Sequence, residues 1–219
     1  MMKKASLFAL VLFTLVLAGC AAPATPTSIQ PASKPTEAAT VAPTEKPTTA
    51  ASTQGAAPWK ADGVIGKDEY AHDTTIGDVH LWWRNDAKYL YIAFEAKTSG
   101  WVAVGLDPET RMKGANFIFG MMSGGQAKVV DAYGNAEIAS HPPDEDLGGK
   151  NDIVASAGSQ EGGVTRFEVQ IPLDSGDKYD KPLKPGGTYK VIAAFAESSE
   201  FNVHHSSRAT GEITLDAAQ

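Results

Sequence analysis

The sequence predicts an all-β domain, a β-sandwich, over residues 58–219, preceded by a disordered stalk. Two observations predict it. Apolar residues recur with period two rather than 3.6, and clusters of Gly, Pro, Asn and Asp interrupt the pattern at short intervals. Residues 88–96 place Leu90, Ile92 and Phe94 on one side and Tyr89, Tyr91 and Ala93 on the other, a central strand covered on both faces. Residues 164–171 set Phe167, Val169 and Ile171 against Arg166, Glu168 and Gln170, a strand with one solvated face. Further strands are expected at 79–83, 101–106, 116–122, 127–133, 152–157, 188–196 and 210–215, nine in all. Turn clusters such as Ser123-Gly124-Gly125 and Pro185-Gly186-Gly187 separate them. Nine short strands with little helical pattern suit two packed sheets. About 160 residues can bury a sizeable core without disulfides.

The first 19 residues read as an export signal. Lys3 and Lys4 precede an uncharged apolar run at 5–17, too short to span a bilayer as a helix. Leu17-Ala18-Gly19-Cys20 resembles the lipobox of bacterial lipoproteins, and Cys20 is the only cysteine of the 219 residues. The resemblance implies cleavage before Cys20 and its lipidation, with enough acyl chains for stable anchoring. The expected location is extracytoplasmic, lipid-anchored to the cell membrane, or to the outer membrane in a diderm cell.

After Cys20, residues 21–57 are almost entirely Ala, Thr, Pro and Ser, with four charges that cancel. Such a segment buries too little apolar surface to offset its chain entropy. Its Thr-Pro and Ala-Pro steps favour an extended spacer, reaching on the order of 110 Å at about 3.1 Å per residue, or roughly 35 Å as a flexible coil. The domains expected are thus a signal at 1–19, a lipidated cysteine and linker at 20–57, and one sandwich at 58–219.

Charge and cysteine content exclude several classes. The formal charge is −7, and −9 for the sandwich alone, since the signal lysines leave it and the linker is neutral. This argues against a nucleic-acid binder, which carries a basic face, and favours a positively charged docking partner. A single cysteine excludes a disulfide framework, a four-cysteine zinc site and covalent haem attachment through Cys-x-x-Cys-His. No Gly-x-Ser-x-Gly, His-Glu-x-x-His or phosphate loop is present, so no catalytic constellation emerges and the protein reads as a non-enzyme.

Three stretches go beyond fold class. They are Gly100-Trp101-Val102-Ala103-Val104-Gly105 followed by Met112-Lys113-Gly114-Ala115, Pro172-Leu173-Asp174-Ser175-Gly176-Asp177, and His204-His205-Ser206-Ser207-Arg208 before a last strand. In this order the set resembles the DOMON domain family, from about Trp59 to Leu215. The resemblance implies an immunoglobulin-like β-sandwich that binds haem b or sugars, in some members for extracytoplasmic electron transfer. Haem-binding members hold iron between one Met and one His. Met112 matches the first, and the spacing to the late Arg selects His205 over His204 for the second. The haem b would be held non-covalently.

Residue chemistry can be weighed beside that resemblance. A thioether and a neutral imidazole form an axial pair that raises the reduction potential and leaves no open position, which suits electron transfer. Met112 sits in a polar turn, where it is either a ligand or a surface or core side chain. His204 and His205 are adjacent, so on a strand they point to opposite faces. Arg208 is either a partner for a haem propionate or a solvated edge residue, and Trp101 is either core or pocket lining. Of Trp82 and Trp83 one should face inward. His72, His80 and His141 read as surface residues. The acidic runs at 144–146 and 174–180 do not match EF-hand spacing and read as solvated turns. The function expected is a lipid-anchored haem b electron carrier with a redox partner protein. The alternative is a carbohydrate- or ligand-binding surface module without haem.

Overall fold

The computed structural model describes residues 59–218; the signal, Cys20 and the linker lie outside the described residues. The chain forms ten strands: β1 (His72–Ile76), β2 (Val79–Asn85), β3 (Tyr89–Ala96), β4 (Val102–Leu106), β5 (Asn116–Ser123), β6 (Gln126–Tyr133), β7 (Ala155–Glu161), β8 (Val164–Pro172), β9 (Thr188–Phe195) and β10 (Ser207–Thr214). A single 3-10 turn, Asp144–Leu147, is the only helical element among the described residues. Two antiparallel five-stranded sheets result, ordered β1-β2-β3-β8-β7 and β10-β9-β4-β5-β6. The all-β sandwich expected from the alternation is therefore the observed architecture.

Alternation decides which face packs. On the first sheet Leu81, Trp83, Leu90, Ile92, Phe94, Phe167, Val169 and Ile171 point inward; Val102, Val104, Ile118, Val191, Ala193 and Ile213 answer from the second. Phe94 and Phe167 are fully buried. Burial of each such side chain contributes about 1.5–3 kcal/mol. The Phe167 ring fits because Gly120, on the opposite sheet, and Gly158, on β7, lack side chains; a Cβ on either would lie 2.2–2.3 Å from the ring. Trp83 is the inward member of its pair and donates its indole N–H to the Thr214 carbonyl at 2.9 Å. Trp82 faces outward with the His80 ring 4.0 Å from it.

Four readings of the sequence change. The strand β1 was not expected, and the strand expected at 152–157 instead begins at Ala155. The polar face of β8 is not solvated, because residues 59–70 fold over it and leave Glu168 with 0% exposure. That carboxylate accepts the backbone N–H of Asp62 at 3.0 Å and of Gly63 at 2.7 Å, and the Tyr70 hydroxyl at 3.0 Å. Tyr70 in turn accepts the Trp59 indole N–H at 2.8 Å. Burial raises the proton affinity of both Glu168 and Tyr70 above their ordinary ranges. The acidic runs are not wholly solvated turns either: Asp144 is buried and Asp180 half-buried, because the topology folds both inward against β5 and β6.

Candidate functional site

The outer face of the second sheet is apolar, which a one-sided sheet would not need. Trp101, Ala103, Phe117, Phe119, Met121, Ala194 and Ala196 form a second buried cluster there, with Met112, Ile192 and Phe201 packed on it. Small residues on β4 and β9 keep the floor low. Above them lies a cavity of about 540 Å³. Its lining includes Trp101, Met112, His141, His205, Arg208 and Lys190. A neighbouring cavity of about 760 Å³ shares Trp101, Met112, His141, His205 and Arg208 and adds His204. Both volumes fall in the range of small-molecule sites.

Each candidate ligand has a local reason for its place. Met112 is in a tight turn after β4, closed by Lys113 N–H donating to the Thr110 carbonyl at 3.0 Å. Arg111 takes the left-handed conformation there, φ 54°, uncommon for a residue with a side chain. The turn is held from behind: Gly114 N–H donates to Gly134 O at 2.7 Å, and Ala115 N–H to Met112 O at 3.2 Å. His205 is in the loop before β10, not on a strand, so the opposite-faces rule does not apply to the pair. His205 is half-buried in the first cavity, while His204 is exposed and touches the second. The His204 Nδ1 is 2.8 Å from the carbonyl of His205, and the two rings are 4.0 Å apart.

Electrostatics favour a neutral imidazole. Burial, then the neighbouring His204 and Arg208, lower the proton affinity of His205 below the usual histidine value. A lone pair is then available for a metal or a donor. Arg111, Lys190 and Arg208 surround the mouth with Glu109 as the one acidic member, a positive rim in a domain of negative formal charge. Such a rim suits carboxylates or phosphates on a flat apolar ligand.

Two features of the site were not legible in the sequence. His141, expected at the surface, is half-buried among Phe117, Phe119 and Phe201, its ring 4.7 Å from that of Phe119. Burial lowers its proton affinity too. The loop between β6 and the 3-10 turn carries it over the sheet, and nothing in its immediate sequence signals this. Secondly, two of the lining residues carry a buried polar atom without a partner: the indole Nε1 of Trp101, only 2% exposed, and Nδ1 of His141. Unpartnered polar atoms in apolar surroundings are costly.

The folded chain is similar to the cytochrome b domain of pyranose dehydrogenase from Coprinopsis cinerea, with TM-score 0.46 and 12% identity over 63% of this chain and 76% of that one. It is similar to the cytochrome domain of Myriococcum thermophilum cellobiose dehydrogenase, with TM-score 0.43 and 12% identity over 64% and 77%. It is also similar to a family 9 carbohydrate-binding module from Caldicellulosiruptor kristjanssonii in complex with glucose, with TM-score 0.34 and 15% identity over 67% and 80%. The DOMON domain model matches residues 75–196, from β1 through β9, so that Met112 and Trp101 lie inside the match and His205 and Arg208 beyond it. With more than half of its length matched by that model, the chain belongs to the DOMON domain family.

Proposed function

We propose that the domain binds haem b non-covalently and serves electron transfer outside the cytoplasm, with Met112 and His205 as axial ligands. The carrying observation is that a thioether and a largely neutral imidazole, remote in sequence, line one apolar cavity. The donor set fits the group. A soft thioether and an imidazole suit iron, and the cationic rim suits two propionates. Bound haem would supply a one-electron iron couple suited to electron transfer.

The chain's own residues have separate tasks. The pinned turn presents Met112 with little freedom to move, as a site on a stiff scaffold requires. Arg208, with Arg111 and Lys190, pairs carboxylates at the rim. Trp101 and Phe119 exclude water from the floor. We further propose that Cys20 is lipidated and the domain tethered to a membrane by the 20–57 linker. Its negative charge would steer a positively charged redox partner.

The test is reconstitution of the purified protein with haemin and the spectrum after reduction. Sharp low-spin Soret and α bands are expected, and their absence refutes the proposal. Met112→Ala and His205→Ala should each abolish the low-spin spectrum, whereas His204→Ala should leave it. An unchanged spectrum in Met112→Ala refutes the ligand assignment. Calorimetric binding of oligosaccharide without haem uptake would instead establish the sugar-binding alternative.

A further inference from the structure

Away from the cavity, four aspartates from separate parts of the chain converge. Asp131 is on β6, Asp144 opens the 3-10 turn, Asp152 precedes β7, and Asp180 lies in the loop after β8. One carboxylate oxygen each from Asp131, Asp152 and Asp180 lies within 4.8 Å of the others. Oxygens 2.3–2.6 Å from a common Ca²⁺ lie up to about 5 Å apart, so the spacing suits one ion.

The cluster is also unsatisfied. Asp144 is 1% exposed, and neither of its carboxylate oxygens has a hydrogen-bond partner. Its carboxylate faces Asp180, Asp177 and Asp152, whose charges add to burial in raising its proton affinity. Asn116, 7% exposed, donates its amide N–H to Asp180, and its own Oδ1 is buried beside the cluster without a partner. Asp152 Oδ2 is likewise buried and unpartnered. The bonds that do form are few: Asp152 N–H to Asp131 at 2.8 Å and the Ser175 hydroxyl to Asp180 at 2.6 Å. No salt bridge reaches any of the four among the described residues; Lys181 is taken up by Asp107 and Glu109. Buried carboxylates without a counter-charge must bind either protons or a cation. Burial, and then the other carboxylates, push Asp131 up to about 8, Asp144 to about 7 and Asp180 to about 6.

We infer that Asp131, Asp152 and Asp180 hold a calcium ion, with the charge of Asp144 and the amide oxygen of Asn116 beside them. All-oxygen donors, mostly carboxylates on loops, suit a hard ion with flexible coordination, and calcium fits them better than the smaller magnesium, which demands octahedral regularity. No histidine, cysteine or methionine joins the set, so a transition metal is disfavoured. The ion would fasten both ends of the 131–144 segment that carries His141 over the sheet. It would also hold Asn116, at the root of the Met112 turn. The site does not depend on haem binding.

Full-length protein in detergent, stripped with a chelator, should take up one Ca²⁺ per chain in a CaCl₂ titration by calorimetry. Its thermal midpoint should rise with CaCl₂ and much less with equimolar MgCl₂. Asp144→Asn removes one charge with little change of shape. It should raise the midpoint of the metal-free protein while weakening calcium binding at least about tenfold, with circular dichroism confirming the fold. Asp131→Asn should act the same way if Asp144→Asn fails to fold. Absence of calcium heat and of any midpoint shift in millimolar CaCl₂ overturns the inference, and the cluster is then held by protons. Calcium binding that persists undiminished in both variants overturns it equally, by locating the ion elsewhere.

Discussion

Glu168→Ala and Glu168→Gln together test the buried carboxylate that holds residues 59–70 against the first sheet. Glu168 accepts three hydrogen bonds, two from backbone N–H groups and one from Tyr70. At about 1.5 kcal/mol each, the lower end for a charged acceptor, these amount to about 4.5 kcal/mol. The cost of burying the charge, visible in its raised proton affinity, offsets part of that. Glu168→Ala is therefore expected to cost about 2–4 kcal/mol. Glu168→Gln keeps an oxygen for both backbone donors and turns its amide toward the Tyr70 oxygen, so it should cost only about 1 kcal/mol. Urea unfolding followed by tryptophan fluorescence measures both losses.

Wild type and the two variants also differ in pH dependence. A carboxyl whose proton affinity is higher when folded makes the native state bind more protons than the unfolded chain. The slope of stability against pH is then negative from the ordinary glutamate range up to the raised folded value. Wild type should accordingly be more stable relative to Glu168→Gln at pH 4 than at pH 7. Equal losses in the two variants, or a difference that grows with pH, would refute the reasoning.

Gly100→Ala would put a Cβ 2.1 Å from the Ala196 carbonyl oxygen and 2.5 Å from Ser198 N. Backbone atoms cannot yield cheaply, so a loss of about 1–3 kcal/mol and altered Trp101 fluorescence are expected on urea unfolding. Ala194→Phe builds a ring up from the cavity floor. It should abolish haem uptake in the haemin titration at a cost of about 1–3 kcal/mol in unfolding free energy, with circular dichroism confirming the fold.

Much of the fold was legible because large apolar residues mark at least one face of most strands. The exceptions have a common cause. The strand β1 reads His-Asp-Thr-Thr-Ile and β7 reads Ala-Ser-Ala-Gly-Ser-Gln-Glu. Neither carries more than one large apolar side chain, and each is a strand because its neighbour, β2 or β8, offers an unpaired edge. In β7 the absence of bulk is itself the fit, since Phe167 occupies the space over Gly158. In the candidate site, Met112, Trp101, His205 and Arg208 were legible as motif positions. His141 was not, because a loop rather than a periodic element carries it. The aspartates were visible as two runs, but Asp131 and Asp152 lie outside both, and only the pairing of β5 with β6 and the folding of two loops bring four carboxylates together.

The clasp at Glu168 and the cavity lie on opposite outer faces of the sandwich, with the apolar core between them. Trp59 therefore lies behind the first sheet, while the cavity opens in front of the second. A pull transmitted through Trp59 would be borne by Tyr70, β8 and β1, and would reach β10 both through the core and through the edge contacts of Asp78 with Ser207 and His72 with Asp216. A partner pressing on the cavity rim would meet no obstruction from residues 59–70. Residues 59–70 and the cavity rim thus occupy separate surfaces of the domain.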